Sequence, residues 1–175
     1  MEVKRTYSVR KYSKNWVRRF REQRKFLEKI LGKNIVEVHH VGSTSIPGMN
    51  AKPIVDVLVI VKDLKLIDKI EKRFAVLGYT LRTNAIAPNS RLLKKFKGSS
   101  KLYNIHLLPK SHDESKRLLS VKNYLIAHPK EAKRYGDLKM KLYKKTKDYS
   151  LYRKGKTNYL DALERKAIAW RKKNK

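Results

Sequence analysis

Residues 39–56 read His39-His40-Val41-Gly42-Ser43-Thr44-Ser45-Ile46-Pro47-Gly48-Met49-Asn50-Ala51-Lys52-Pro53-Ile54-Val55-Asp56, and this stretch decides the fold. The β-branched run over 35–41 leads into it and the apolar run IVDVLVIV over 54–61 leads out, so a loop of small residues joins two strands. Glycine lets backbone approach a ligand closely, hydroxyl and backbone N–H groups donate to phosphate oxygens, and lysine adds positive charge. Gly42, Ser43, Thr44, Ser45 and Lys52 supply all three, which makes the loop a candidate phosphate site. Asp56 stands in the following strand, where a carboxylate is costly to bury unless it faces Lys52, backbone donors or a metal. Mg²⁺ is commonly held by one or two carboxylates plus substrate phosphates, so Asp56 is the candidate metal ligand. No Gly-Lys-Ser/Thr follows the loop and no Gly-x-Ser-x-Gly elbow occurs, so ATPases of the Walker type and serine hydrolases fall away.

An apolar residue, Gly42-Ser43, the intervening residues 44–55 and then Asp56 among apolar neighbours resemble the signature of the nucleotidyltransferase superfamily, and the fuller HVGSTSIPG…AKPIVDVLV run resembles the GrpB-like family within it. Gly78-Tyr79, the basic strand led by Arg91, the His106-Leu107 strand and YLIAHPKEAKRYGDLK over 124–139 follow in the family's order, so the resemblance covers nearly the whole chain after about residue 10. It implies an α+β domain, a nucleotidyltransferase-like mixed β-sheet packed by helices. It also implies nucleoside triphosphate and Mg²⁺ as substrate and cofactor: Gly42, Ser43, Thr44 and Ser45 would hold the triphosphate, Asp56 the metal, and Lys52 or Arg91 would offset developing charge. Three departures stand out. The superfamily usually reads Asp-apolar-Asp, and here Leu58 occupies the second acid's place. Asn104-Ile105-His106 stands where the family often has His-Leu-His, and Lys122-Asn123 where it has Arg-Asp. Two-metal phosphoryl transfer needs several oxygen ligands, which a lone Asp56 does not supply.

Composition points the same way from outside the motif. The 175 residues, 41% of them hydrophobic, suffice for one domain with a core, with 34–109 as the sheet-forming part and 110–175 as a helical region. The absence of cysteine excludes disulfides, thiolate catalysis and Cys-ligated zinc. No run of about 18 apolar residues could span a bilayer and the charged start lacks the apolar stretch of a secretory signal, so a cytoplasmic protein without a membrane partner is expected. Lys and Arg number 45 against 15 acids, a formal charge of +30 whose greatest share lies in residues 110–175. Such an excess calls for a polyanion such as RNA, drawn by Coulomb attraction and counterion release. A lysine-rich solvated surface is the plainer reading, whereas a thermophile's ion-pair surface would carry comparable acids. Tyr124, Tyr135, Tyr143, Tyr149, Tyr152 and Tyr159 lie among these cations, and stacking faces beside lysines suit single-stranded nucleic acid. Tyr135 keeps helical spacing with Leu138 and Leu142, which fits a core tyrosine equally well. Lys144, Lys145, Lys147, Arg153 and Lys154 are the candidate nucleic-acid surface.

Around the motif, the pattern predicts a helix over 14–31 capped by Ser13 and ended by Gly32, then one over 64–77 after Asp63. Strands are expected at 79–83, 91–96 and 102–108, the last two joined by a turn at 97–100. Ser111 with Glu114 reads as a capping box for a helix to Ala127, Pro129 as the first turn of the next, Thr157 as the cap of the last, and 148–156 as a loop able to move. His39 and His40 point to opposite faces and cannot chelate one ion together. His40 and His106 meet only if their strands are neighbours, and His106 with Asp56 is a conceivable metal pair; a hydrogen-bonded structural role is the plainer reading of both. Two functions follow: nucleotide phosphate binding with nucleotidyl transfer to an acceptor such as RNA, or a non-catalytic nucleic-acid-binding protein on a degenerate nucleotidyltransferase fold. An accessory role in coenzyme metabolism is a third, suggested only by fusions of GrpB-like domains.

Overall fold

A computed structural model describes residues 7–146 and 148–174. Helix α1 (Asn15–Leu31) precedes strands β1 (Ile35–Val41) and β2 (Val55–Val61), which flank the loop. Two short helices, α2 (Lys65–Lys69) and α3 (Glu71–Val76), lead to β3 (Tyr79–Thr83), β4 (Arg91–Lys97) and β5 (Ser100–Pro109). Helices α4 (Asp113–Ala127), α5 (Pro129–Lys145) and α6 (Tyr149–Lys173) complete the described chain. The five strands form one mixed sheet in the order β1-β2-β5-β4-β3, with β2 parallel to β5 and the other pairs antiparallel. This is the helix-packed mixed α/β sheet expected of a nucleotidyltransferase-like domain.

Alternation along β2 divides its side chains between two layers. Val55, Val57, Val59 and Val61 pack with Trp16, Leu27 and Leu31 of α1 and with Phe74 of α3. Leu58 and Ile60 point the other way and join Val41, Leu108 and the α4 residues Leu118 and Leu119. A third cluster unites the loop residues Ile46 and Met49 with Leu125, Tyr135 and Leu163, one from each C-terminal helix. It carries those helices onto the loop. Gly136 lies in this contact, where a Cβ would come 3.2 Å from the backbone N of Asn50.

Several local expectations hold and others are corrected. The Ser13 hydroxyl accepts from Asn15 N–H, Asp63 accepts from Lys65 N–H, and Gly32 ends α1 at φ 49°. The expected helix over 64–77 divides at Ile70, where no proline or glycine announces the break. Ser111 is not the cap of α4: it adopts φ 69° one residue early, and the His112 side chain accepts from Glu114 N–H instead. Thr157 caps nothing. Asp148 starts α6 by accepting from Leu151 N–H, the helix runs through 149–156, and Thr157 donates back to the carbonyl of Arg153. The expected loop is therefore helix, and its Tyr152 is 1% exposed.

Candidate functional site

The register of β1, β2 and β5 places the motif's chemistry on one sheet face. Val41 opposes Asp56 across the antiparallel pair, and Asp56 lies beside Asn104 on the parallel neighbour. Asn104 and His106 are two apart on β5 and therefore share the face of Asp56. The Asn104 amide donates to Asp56 Oδ1 at 2.8 Å, and His106 Nε2 lies 3.6 Å from the same oxygen. Burial alone would push the Asp56 carboxyl upward, but His106, Asn104 and the charge of Lys52 outweigh it and hold the group below the usual carboxylate range.

Over this face the loop, α4, α5 and α6 enclose a cleft of about 280 Å³. Gly42, Ser43, Thr44, Lys52, Asp56 and His106 line it, so these motif residues share one cleft. Several expected residues are engaged with other partners. Ser45 donates its hydroxyl to the carbonyl of Gly42 and is not part of the lining, while the buried Thr44 hydroxyl is bonded to His40. Arg91 is also absent from the lining, because both arms of its guanidinium are held by the Asp68 carboxylate at 2.6 and 2.7 Å. His40 does not share a strand pair with His106, since β2 separates their strands. It stacks on Phe20 of α1 instead, and burial followed by the charge of Lys122 lowers its pKa to about 4.

What the motif did not announce comes from the C-terminal helices. Lys139 of α5 is 3% exposed, lines the cleft, and its ammonium has no hydrogen-bond partner among the described residues. It lies 4.6 Å from the centre of the Tyr135 ring, a contact that steadies the charge without accepting its N–H bonds. Burial first, then the charges of Lys156 and Lys52, hold it well below the ordinary lysine value. Lys156 of α6 is lowered in the same way. Lys52 donates to the Tyr149 hydroxyl at 2.9 Å. Burial opposes ionisation of that phenol, yet the hydrogen bond and the charges of Lys52, Lys101 and Lys156 prevail and draw its pKa down. The one sequence signal for Lys139 is its place four residues after Tyr135, inside the stripe that also holds Leu138 and Leu142.

The donors do not suit Mg²⁺. Mg²⁺ needs octahedral oxygen ligands and is usually held by one or two available carboxylates together with substrate phosphates, and the carboxylates lining this cleft are Asp56 and Glu164. Asp56 Oδ1 already accepts from Asn104, Oδ2 lies against Gly42, and Leu58 is fully buried in the apolar layer under α4. The cleft's other carboxylate, Glu164, is paired with Arg117.

Residues 6–166 match the family described as GrpB protein. The chain belongs to the GrpB family. Curated relatives include UPF0157 protein YqkA of Bacillus subtilis, 31% identical over 170 residues that make up 97% of this chain and 49% of the relative. Another is the glutamate-rich protein GrpB of Alkalihalophilus pseudofirmus, 31% identical over 87% of this chain and 90% of that one. This chain thus spans about half the length of the Bacillus subtilis relative. Among solved structures, the conserved protein GrpB from Enterococcus faecalis superposes with a TM-score of 0.87 at 31% identity, over 93% of this chain and 98% of that one. The GrpB-family fold is therefore the whole arrangement of sheet, loop and C-terminal helices. The basic surface residues Lys144, Lys145, Arg153 and Lys154 stand exposed where α5 turns into α6, and Lys147 lies outside the described residues. No helix among the described residues is long and apolar enough to cross a membrane.

Proposed function

We propose that this GrpB-family domain binds the phosphates of a nucleotide in the cleft beneath the Gly42-Ser43 loop, with a polyanion such as RNA along the basic turn between α5 and α6. The observation that carries the reading is Lys139. A buried ammonium without a hydrogen-bond acceptor is expensive, and an anion entering the cleft is the acceptor that the described residues do not supply. Lys52 and Lys156 face the same space, and Ser43 is available at its rim. Apolar residues of α4 and α6, including Val121, Leu125 and Leu160, offer a surface for a base or sugar.

The outer part of the reading rests on Lys144, Lys145, Arg153 and Lys154. These exposed cations pair with no acid among the described residues, and the last two lie within one turn of Lys156 on α6. A strand of phosphates passing over them would approach the cleft mouth. The rival reading, a non-catalytic binding protein, has its own observation. Leu58 fills the second acid's position with packed hydrocarbon, which leaves the carboxylate chemistry of two-metal transfer without a partner.

Calorimetric titration with ATP and with adenosine tests the inner site. ATP is expected to bind with micromolar to low-millimolar affinity and adenosine to lose most of that binding. Failure of ATP to bind at millimolar concentration, or equal binding of the two, would overturn the assignment.

A further inference from the structure

The fold's relatives in phosphoryl chemistry lead one to expect a divalent cation, yet this cleft is furnished for the opposite partner. Setting aside Arg117 and Glu164, which neutralise each other, the lining holds Lys52, Lys122, Lys139 and Lys156 against the single carboxylate of Asp56. The ammonium groups come from separate elements: the loop, α4, α5 and α6. Three features tie them to one ligand space. Lys139 is buried with no hydrogen-bond acceptor among the described residues, Lys156 is half-buried and close enough for its charge to act on Lys139, and Lys52 lines the cleft while donating to the Tyr149 hydroxyl.

We propose that the cleft holds a polyphosphate chain without a divalent cation, with Lys52, Lys139 and Lys156 supplying the positive charge that Mg²⁺ supplies elsewhere and Asp56 serving as their counter-charge in the empty cleft. The proposal rests on the nucleotide-phosphate reading above and specifies how that site is balanced. Lysine is a compact charge with three rotatable donors, suited to a phosphate chain whose oxygens point in several directions. Asp56 need not coordinate anything in this arrangement. Its Oδ1 stays with the Asn104 amide, while its charge reduces the mutual repulsion of Lys139 and Lys156 until a ligand arrives. A metal-bound polyphosphate carries less negative charge than the free one and meets the lysines at a disadvantage.

The test uses inorganic tripolyphosphate and ATP, each titrated by calorimetry once in EDTA and once in excess Mg²⁺. Both ligands are expected to bind in EDTA at least as tightly as in Mg²⁺. Asp56→Asn keeps the acceptor for Asn104 and removes the charge, so its expected effect is an affinity about three- to tenfold tighter, from one fewer repulsive charge a few ångströms away. Lys156→Gln is expected to weaken binding at least about tenfold, and Lys139→Met likewise, so that a folding defect in one variant leaves the other to decide. A tenfold or greater loss of affinity in EDTA, or abolition of binding by Asp56→Asn, overturns the metal-free arrangement while leaving nucleotide binding in place. Absence of binding in both buffers removes the nucleotide reading as well.

Discussion

Gly42 lies directly against the carboxylate of Asp56: a Cβ built on the glycine would stand 2.6 Å from Asp56 Oδ2, and the glycine's own φ is +70°. The loop can pass over the acid only because the side chain is missing. Gly48 in the same loop has φ +75° but nothing within 4 Å of its would-be Cβ. The pair separates backbone strain from steric contact. Gly48→Ala is expected to cost about 1 kcal/mol of stability, and Gly42→Ala about 2–4 kcal/mol together with lost ATP affinity. Urea unfolding of the two variants checks this, and equal losses would mean that Asp56 does not press on the loop.

Lys139→Met should stabilise the protein at neutral pH by about 1–3 kcal/mol, because it replaces a buried ammonium that has no hydrogen-bond acceptor among the described residues by an apolar side chain of similar length. The folded-state pKa lies below the unfolded one, so the charge penalty is full below the folded value and is relieved as pH rises toward the ordinary lysine range. The advantage of the variant over wild type is therefore expected to shrink between pH 7 and 10. Denaturant midpoints at both ends of that interval measure it; a constant gap would show that folding does not depress this lysine's pKa.

His40 predicts an acid-side loss. Its folded pKa of about 4 lies below the ordinary 6.5, so between those values the unfolded chain takes up a proton that the folded chain refuses. Stability present above pH 6.5 should fall by up to about 3 kcal/mol as pH drops toward 4. His40→Gln should remove that component while costing some packing against Phe20. Comparing unfolding of the two proteins at pH 7 and pH 4.5 is decisive: parallel behaviour would exclude His40 as the titrating group.

Leu58→Asp restores the superfamily's acid in name only. The side chain shares the face of Asp56, but it is fully buried with Val41, Ile60 and Leu108 beneath α4, outside the cleft lining. The expected result is a loss of about 3–5 kcal/mol or failure to fold, without gain in Mg²⁺ affinity. A folded variant that binds Mg²⁺ more tightly by calorimetry would show that α4 can yield and expose this position.

Neutralising Lys144, Lys145, Arg153 and Lys154 to glutamine should leave stability within about 0.5 kcal/mol, since all four are exposed and unpaired among the described residues. RNA binding is expected to weaken and its log–log salt slope to flatten by roughly 0.7 for each phosphate no longer neutralised, while Lys139→Met leaves the slope unchanged. Filter-binding or anisotropy at several salt concentrations reads this directly. An unaltered slope in the neutralised protein would reduce this turn to a solvated surface.

The strand-loop-strand motif, the buried character of β2 and the family were legible in the sequence, because glycine placement, β-branching and apolar runs are local properties that act wherever the chain goes. Local rules also found Asp63, Gly32 and Pro129 at helix ends. They failed at Ser111 and Thr157, where another residue one step or several turns away made the cap, and at 148–156, whose polar composition conceals a helix that buries Tyr152. The cleft's balance of charge was decided only by tertiary structure. Lys139 and Lys156 lie on separate helices that meet Asp56 across a long stretch of chain, and the apolar contacts of Ile46, Met49, Leu125 and Leu163 bring them there. Arg91 shows the converse, a cation that the motif order suggested for the site and that Asp68 holds elsewhere. Sequence determines which charges a chain possesses; burial and packing determine which of them remain without a partner, because that depends on neighbours that only the folded chain assembles.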